Sequence, residues 1–274
     1  MAYRETIKTR AAGSLTDDDL GSIWVDDAVG AVYKALERTG QLADTFILFQ
    51  LDHGRAEKGR IWEGGIRVPQ FIHYPTGLGT TGRSFHGMVS TIDIAPTMLD
   101  FAGLLELYSM DGRSWKDAVE DDILGDEWKA DRCLFFESSL ERAVGCGCHK
   151  YMMLNDASPE KLEAVSKSWW TGNEALFNLC DASGNYLVAD SSTVSPEATN
   201  IIGDKPELAA ELRSLLGCHL QKTDASVDPI YQECTRDGGP ITTTTVALSG
   251  TTLNFAHPQF FALALAIMQH YLIF

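Results

Sequence analysis

Thr45-Phe46-Ile47-Leu48-Phe49-Gln50-Leu51 is the stretch on which the fold turns. It is short, almost continuously apolar and followed at once by Asp52-His53-Gly54, so it reads as a strand of the kind buried on both faces in a parallel sheet. Upstream, Ile23, Val25, Ala28, Val29, Val32, Ala35 and Leu36 recur at three- and four-residue steps. That spacing predicts an amphipathic helix, with Thr16 as its N-cap, acidic residues in its first turn and Gly40 as its stop. Residues 1–20 otherwise read as a polar lead-in. Helix, short loop and apolar strand together make an α/β unit. Sites in open α/β sheets gather beyond the carboxyl ends of strands, which makes the polar, glycine-rich segment 52–65 the expected seat of chemistry.

Downstream, residues 68–74 read as another strand, and 92–104 as a helix with Pro96 near its first turn and Gly103 near its end. After a charged, tryptophan-containing loop the pattern changes. Short strand-like pieces at 133–137, 142–145, 150–155 and 175–179 predict an antiparallel sheet, and Leu208, Leu212, Leu215 and Leu216 an amphipathic helix over 206–222. The expected layout is α/β over residues 1–128, then a small α+β subdomain over 129–240 with its antiparallel sheet and a packed helix. Residues 241–274 hold a Thr-rich segment and a terminal apolar run, Phe260 to Phe274, short of the roughly 20 residues that span a bilayer. Ser249-Gly250-Thr251 ahead of that run resembles a GPI-attachment signal, hence membrane anchoring; the alternative is a terminal helix packed on the core.

The chain has 274 residues, 22 Lys and Arg against 38 Asp and Glu, and a net charge of −16. That balance opposes binding to nucleic acid, whose affinity comes largely from cations neutralising phosphates. A composition 45% hydrophobic and 22% charged is that of a globular protein. Six cysteines lie between Cys133 and Cys234, and Cys146-Gly147-Cys148-His149 fits no zinc-ligand spacing, so disulfides or buried thiols are expected. No Asn-x-Ser/Thr sequon occurs, and the polar N-terminus shows no signal-peptide apolar stretch.

At the strand end, Asp52 and His53 set a carboxylate beside an imidazole, a pair able to ligate a divalent cation. Lys58 can place positive charge against an anionic substrate oxygen. In this context the motifs resemble the type I sulfatases of the alkaline-phosphatase-like superfamily. Asp26-Asp27-Ala28-Val29-Gly30 is similar to their Asp-Asp-Ala-Val-Gly helix, and Asp52-His53-Gly54 to their strand end. Lys58-Gly59-Arg60-Ile61-Trp62-Glu63-Gly64-Gly65-Ile66-Arg67-Val68-Pro69 reproduces their Lys-Gly-x-x-x-Glu-Gly-Gly-x-Arg-x-Pro stretch. Residues 89–103 and 111–114 resemble their next signature. Residues 174–179 and Glu197-Ala198-Thr199-Asn200-Ile201 resemble their closing segment.

The resemblance covers about residues 20–222 and implies a sulfuric ester hydrolase acting on a small-molecule or glycan sulfate ester. By it, Asp52 and His53 would be metal ligands, for calcium in most of the family. Lys58 would be both a catalytic and a substrate-binding residue, contacting the sulfate. Arg67 would be structural, and Asp93 a first-turn helix acid. His73 and His86 match no catalytic role, while Trp62, Trp169 and Trp170 read as packing aromatics more readily than as pocket lining. The family's secretory, lysosomal or extracellular locations carry over as expectations. Its formylglycine nucleophile motif, Cys/Ser-x-Pro-Ser/Ala-Arg, is absent from these 274 residues, so the chain resembles the C-terminal half of a sulfatase and is expected to be truncated and inactive alone. Leu51 stands where the family has Ser or Thr, and only three residues separate Gly54 from Lys58. The alternatives are a phosphate or phosphonate ester hydrolase of the same superfamily and a catalytically inactive sulfatase-like binding protein.

Overall fold

A computed structural model describes residues 4–10, 16–54, 57–105, 110–154, 173–187 and 195–223. Arg55, Trp169, Trp170, Cys234 and the segment 241–274, with its anchoring signal, lie outside the described residues. The first helices are α1 (Arg4–Arg10) and α2 (Asp17–Arg38). The lead-in is therefore partly helical, and Ile7 is buried at 2% exposure, which a frayed segment would not achieve. The Thr16 carbonyl accepts the Leu20 N–H at 3.1 Å, as at an N-cap. Gly40 ends α2 with φ 69°. Gln41 N–H reaches back to Leu36 O and Gly40 N–H to Glu37 O, the paired bonds of a Schellman stop.

Strand β1 (Ile47–Gln50) pairs with β2 (Gln70–His73), and helix α3 (Glu63–Ile66) lies in the connection between them. The pairing is antiparallel, and both strands are largely half-buried, which corrects the expectation of a parallel strand covered on both faces. The reason lies in the connection. Segment 51–69 folds back through turns and one short helix, and Leu51 N–H bonds Pro69 O at its base, so no crossover helix returns the chain to the same end.

Helix α4 (Pro75–Leu78) follows, then a 3₁₀ turn (Thr91–Asp93) leading into α5 (Ile94–Phe101). The charged loop expected after it forms two helices, α6 (Lys116–Glu120) and α7 (Asp122–Asp131), because Trp115, Ala118 and Trp128 turn inward together. The second sheet has the order β3 (Cys133–Ser138), β4 (Glu141–Cys146), β5 (His149–Leu154), β6 (Glu174–Asn178), all antiparallel. Helix α8 (Pro206–Thr223) covers one face through Ala209, Leu212, Leu215 and Leu216. The other face packs on Ile61 and Trp62, so the candidate loop is part of the sheet's own core. Disulfides join Cys133 to Cys146 and Cys148 to Cys180, and Cys218 is disulfide-bonded as well. Cys146 and Cys148 are thus taken up in structure, as the sequence led one to expect. No helix among the described residues is long and apolar enough to cross a membrane.

Candidate functional site

The site begins where β1 stops. Asp52 and His53 follow the strand, and Gly54 folds onto the loop that carries Lys58. Gly54 N–H donates to Gly65 O at 2.8 Å. A Cβ on Gly54 would stand 2.2 Å from Gly64 O, and one on Gly65 would stand 2.5 Å from both Arg60 O and Glu57 O. Only glycine permits backbone to approach backbone this closely. The two motifs read separately in the sequence are thereby brought together.

The side chains then divide into an exposed set and a buried set. Asp52 is 80% exposed, and its Oδ1 lies 3.8 Å from His53 Nε2. His53 Nδ1 sits 2.6 Å from Gly54 O. A carbonyl only accepts, so Nδ1 carries a proton, which leaves Nε2 as the ring nitrogen that can offer a lone pair to a cation. Lys58 is exposed on a turn flanked by Glu57 at φ 60° and Gly59 at φ 80°, and no hydrogen bond or ion pair ties it down among the described residues. The exposed set therefore offers a carboxylate, an imidazole nitrogen and an ammonium. No group of three or more His, Cys, Asp or Glu side chains able to hold a metal occurs among the described residues. Asp52 and His53 match a divalent cation in donor type. In number they fall short of the six to eight oxygens calcium takes.

Beneath that surface lies a buried charge network that sequence reading missed. Lys150 on β5 is fully buried. Its Nζ donates to Ile61 O at 2.6 Å, Glu197 Oε1 at 2.8 Å and Glu63 Oε1 at 3.0 Å. Glu197 Oε2 in turn accepts the Glu63 N–H at 2.7 Å. Glu141 on β4, 1% exposed, accepts from Arg60 Nε at 2.6 Å, Ile61 N–H at 3.1 Å and Trp62 Nε1 at 3.1 Å. Every residue from Arg60 to Glu63 is thus bonded to the second sheet or the segment after it. Trp62, fully buried, packs at 5.8 Å from the Phe177 ring, a core aromatic rather than a pocket wall. One sequence signal could have exposed the network. Lys150, Met152 and Leu154 share one face of β5, and a lysine in an apolar row needs buried partners.

Burial works against the Lys150 charge, yet Glu63 and Glu197 more than offset it and hold its pKa above the ordinary lysine value. Glu197 moves up as well, chiefly through burial and then through Glu63, with Lys150 opposing. A carboxyl with a raised folded-state pKa binds its proton more tightly when folded. Its stabilisation is complete below the unfolded value and is lost as pH rises through the folded one. Wild type should therefore lose thermal stability relative to Glu197→Gln as pH rises from mildly acidic to neutral. Melting curves from about pH 4.5 to 7.5 check this, and a difference constant with pH would contradict it.

Asp93 is fully buried, accepting from Ser90 N–H at 2.8 Å, Arg113 N–H at 2.8 Å and Arg132 Nη2 at 2.5 Å. It caps a helix start and faces no solvent. Arg67 donates to Leu187 O and stacks over the Tyr186 ring, the structural role expected of it. His73 packs 4.9 Å from the Tyr33 ring, away from Asp52-His53.

Comparison with known proteins fits this arrangement. Residues 6–104 match the Sulfatase family, a span holding both Asp52-His53-Gly54 and the Lys58–Pro69 loop. The chain is 38% identical over 106 residues to an arylsulfatase of Clostridium perfringens, covering 35% of this chain and 22% of that enzyme. It is 26% identical over 243 residues to bovine (Bos taurus) arylsulfatase A, covering 77% of this chain and 46% of that one. A solved structure from work on the metabolism of multiple glycosaminoglycans by Bacteroides thetaiotaomicron superposes with a TM-score of 0.52 at 19% identity, over 76% of this chain and 42% of the other. The last likeness concerns the fold: mixed helix and sheet, with antiparallel sheets. Residues 6–104 belong to the Sulfatase family. It spans about a fifth to just under half the length of these curated relatives.

Proposed function

We propose that the chain carries the cation- and sulfate-facing elements of a sulfuric ester hydrolase, within a partial alkaline-phosphatase-like domain followed by a small subdomain beginning near residue 129. One observation carries this reading: a single Sulfatase match contains the Asp52-His53 strand end and the Lys58 loop, and the two are packed together through Gly54 and Gly65. Lys58 serves as the substrate-binding and catalytic cation. Its exposed ammonium meets a sulfate oxygen and lowers the cost of charge growing on the leaving oxygen. Asp52 and His53 Nε2 hold the divalent cation, calcium by family resemblance. When bound, that ion supplies positive charge against the sulfate oxygens. Neighbouring positive charge is needed because the chain as a whole carries −16.

The substrate class is an organic sulfate ester. Relatives with 31% and 35% identity are an N-acetylglucosamine-6-O-sulfatase of Bacteroides thetaiotaomicron and an ulvan-active sulfatase of Formosa agariphila, which supports a glycan ester among the candidates. The disulfides support an oxidising compartment, as in secretion, since such bonds persist there and are rare in the cytosol.

With two or three donors toward a shell of six to eight, the chain should bind calcium only weakly and hydrolyse aryl sulfates negligibly. Measurable arylsulfatase activity on adding calcium would contradict this. Titration of inorganic sulfate by calorimetry tests the site itself. Lys58→Ala should weaken binding about tenfold, the worth of one charge-assisted contact. Equal affinity in both proteins would overturn the assignment of Lys58, and tighter binding of inorganic phosphate would turn the reading to phosphate esters.

A further inference from the structure

We infer that Lys150 is a positioning residue, an ammonium buried in the second sheet that sets where the Lys58 loop stands. The inference rests on the reading that Lys58 faces sulfate, and it assigns control of that face to a different part of the fold. Three bonds converge on Nζ, and two of them come from the loop itself, at Ile61 O and the Glu63 carboxylate. The third, to Glu197, closes a ring, because Glu197 also takes the Glu63 N–H. Glu197 is held in turn on a 3₁₀ turn (Pro196–Ala198) whose start is capped by Ser195.

Such a ring acts as a two-way register. A buried ammonium needs its partners at hydrogen-bond distance, and the loop cannot slide along β5 without stranding Lys150 or Glu63 in the core. Lys58 stands only three residues before Ile61, separated by the left-handed Gly59. With Ile61 and Glu63 fixed and Gly54 locked against Gly64, Lys58 sits on a span anchored at both ends. Its exposed side chain is thereby carried on a loop locked to the Asp52-His53 strand end through Gly54, with no hydrogen bond or ion pair of its own among the described residues. Rigid support beneath a flexible charged side chain is what a binding site needs to hold its geometry. Arg60 of the loop pairs with Glu141 on the neighbouring strand β4 and forms a second anchor.

Amide hydrogen exchange on the whole chain tests the clamp without any ligand. In Lys150→Met, the amides of Ile61, Glu63, Gly65 and Ile66 should exchange roughly 100-fold faster, as expected when a buried ion network loses its centre. The amides of β3, β4 and α8 should stay within about threefold of wild type. Unchanged exchange in the loop, or a uniform acceleration across the sheet, would overturn the clamp. Should Lys150→Met fail to fold, Glu63→Gln reads the same amides, with roughly tenfold faster exchange expected, and the same outcomes decide. The positioning role has its own readout in a sulfate-binding cycle. Lys150→Met should weaken inorganic sulfate binding in wild type but not in Lys58→Ala, whereas independent, additive losses would contradict positioning. Failure of wild type to bind sulfate at all would overturn the functional reading of Lys58, and exchange alone would then judge the clamp.

Discussion

Glu141→Ala should cost the chain about 3–5 kcal/mol of stability, the range seen when one partner of a buried ion pair is removed. The size follows from what it leaves behind. Glu141 is 1% exposed and satisfies the Arg60 guanidinium, the Ile61 N–H and the Trp62 indole N–H together. Alanine would take the acceptor from the buried Ile61 N–H and Trp62 indole N–H and the counter-charge from the partly exposed Arg60, and each buried donor left without it carries its own desolvation cost. Urea denaturation checks this, as a lowered midpoint with an unchanged slope. Glu141→Gln should recover part of the loss, because an amide oxygen in the Oε1 place still accepts from the indole N–H, while the Ile61 N–H loses its Oε2 acceptor and the ion pair with Arg60 is gone. A loss under about 1 kcal/mol for the alanine variant would mean that the loop is held by apolar packing alone.

The second large effect is expected at Gly54. Its missing side chain lets the Asp-His-Gly turn lie against the Glu-Gly-Gly turn, and an added methyl would press on the Gly64 carbonyl oxygen at 2.2 Å and the Arg67 oxygen at 2.9 Å. Backbone atoms cannot rotate aside as a side chain can. Gly54→Ala should therefore reach the upper end of the overpacking range, about 3 kcal/mol, and displace Asp52 and His53 from the Lys58 loop. Gly21 provides the contrast. It lies inside α2 with nothing within 4 Å of an added Cβ, so Gly21→Ala should stabilise by roughly 0.5–1 kcal/mol through helix propensity. Both variants are read by thermal melting, and Gly54→Ala also by inorganic sulfate affinity. Equal stability for the two would remove the case for close packing between the turns.

Much of this was legible along the chain, and the limits follow from periodicity. The four strands of the second sheet and helix α8 announce themselves through local alternation and three-to-four spacing, which local residues alone decide. So do the stops at Gly40 and Gly103, where only the left-handed backbone is at issue. The direction of β1 against β2 was not legible, because apolarity reveals burial and not pairing sense. Nor was the charge network. Lys150 and Glu63 are 87 residues apart, and Glu63 and Glu197 are 134 apart, so nothing local couples them. The exposed trio Asp52, His53 and Lys58 could be named from its motifs, while the scaffold beneath it needed the fold.

One titration probes most directly whether cation and sulfate meet at this strand end. Inorganic sulfate affinity is measured with and without saturating calcium, in wild type and in Asp52→Asn. If Asp52-His53 and Lys58 share one anion, calcium should tighten sulfate binding by at least about fivefold in wild type, the lower range of coupling between linked sites. That gain should vanish in Asp52→Asn. Sulfate affinity indifferent to calcium, or tightened equally in both proteins, would place the two groups in separate sites and contradict the assignment.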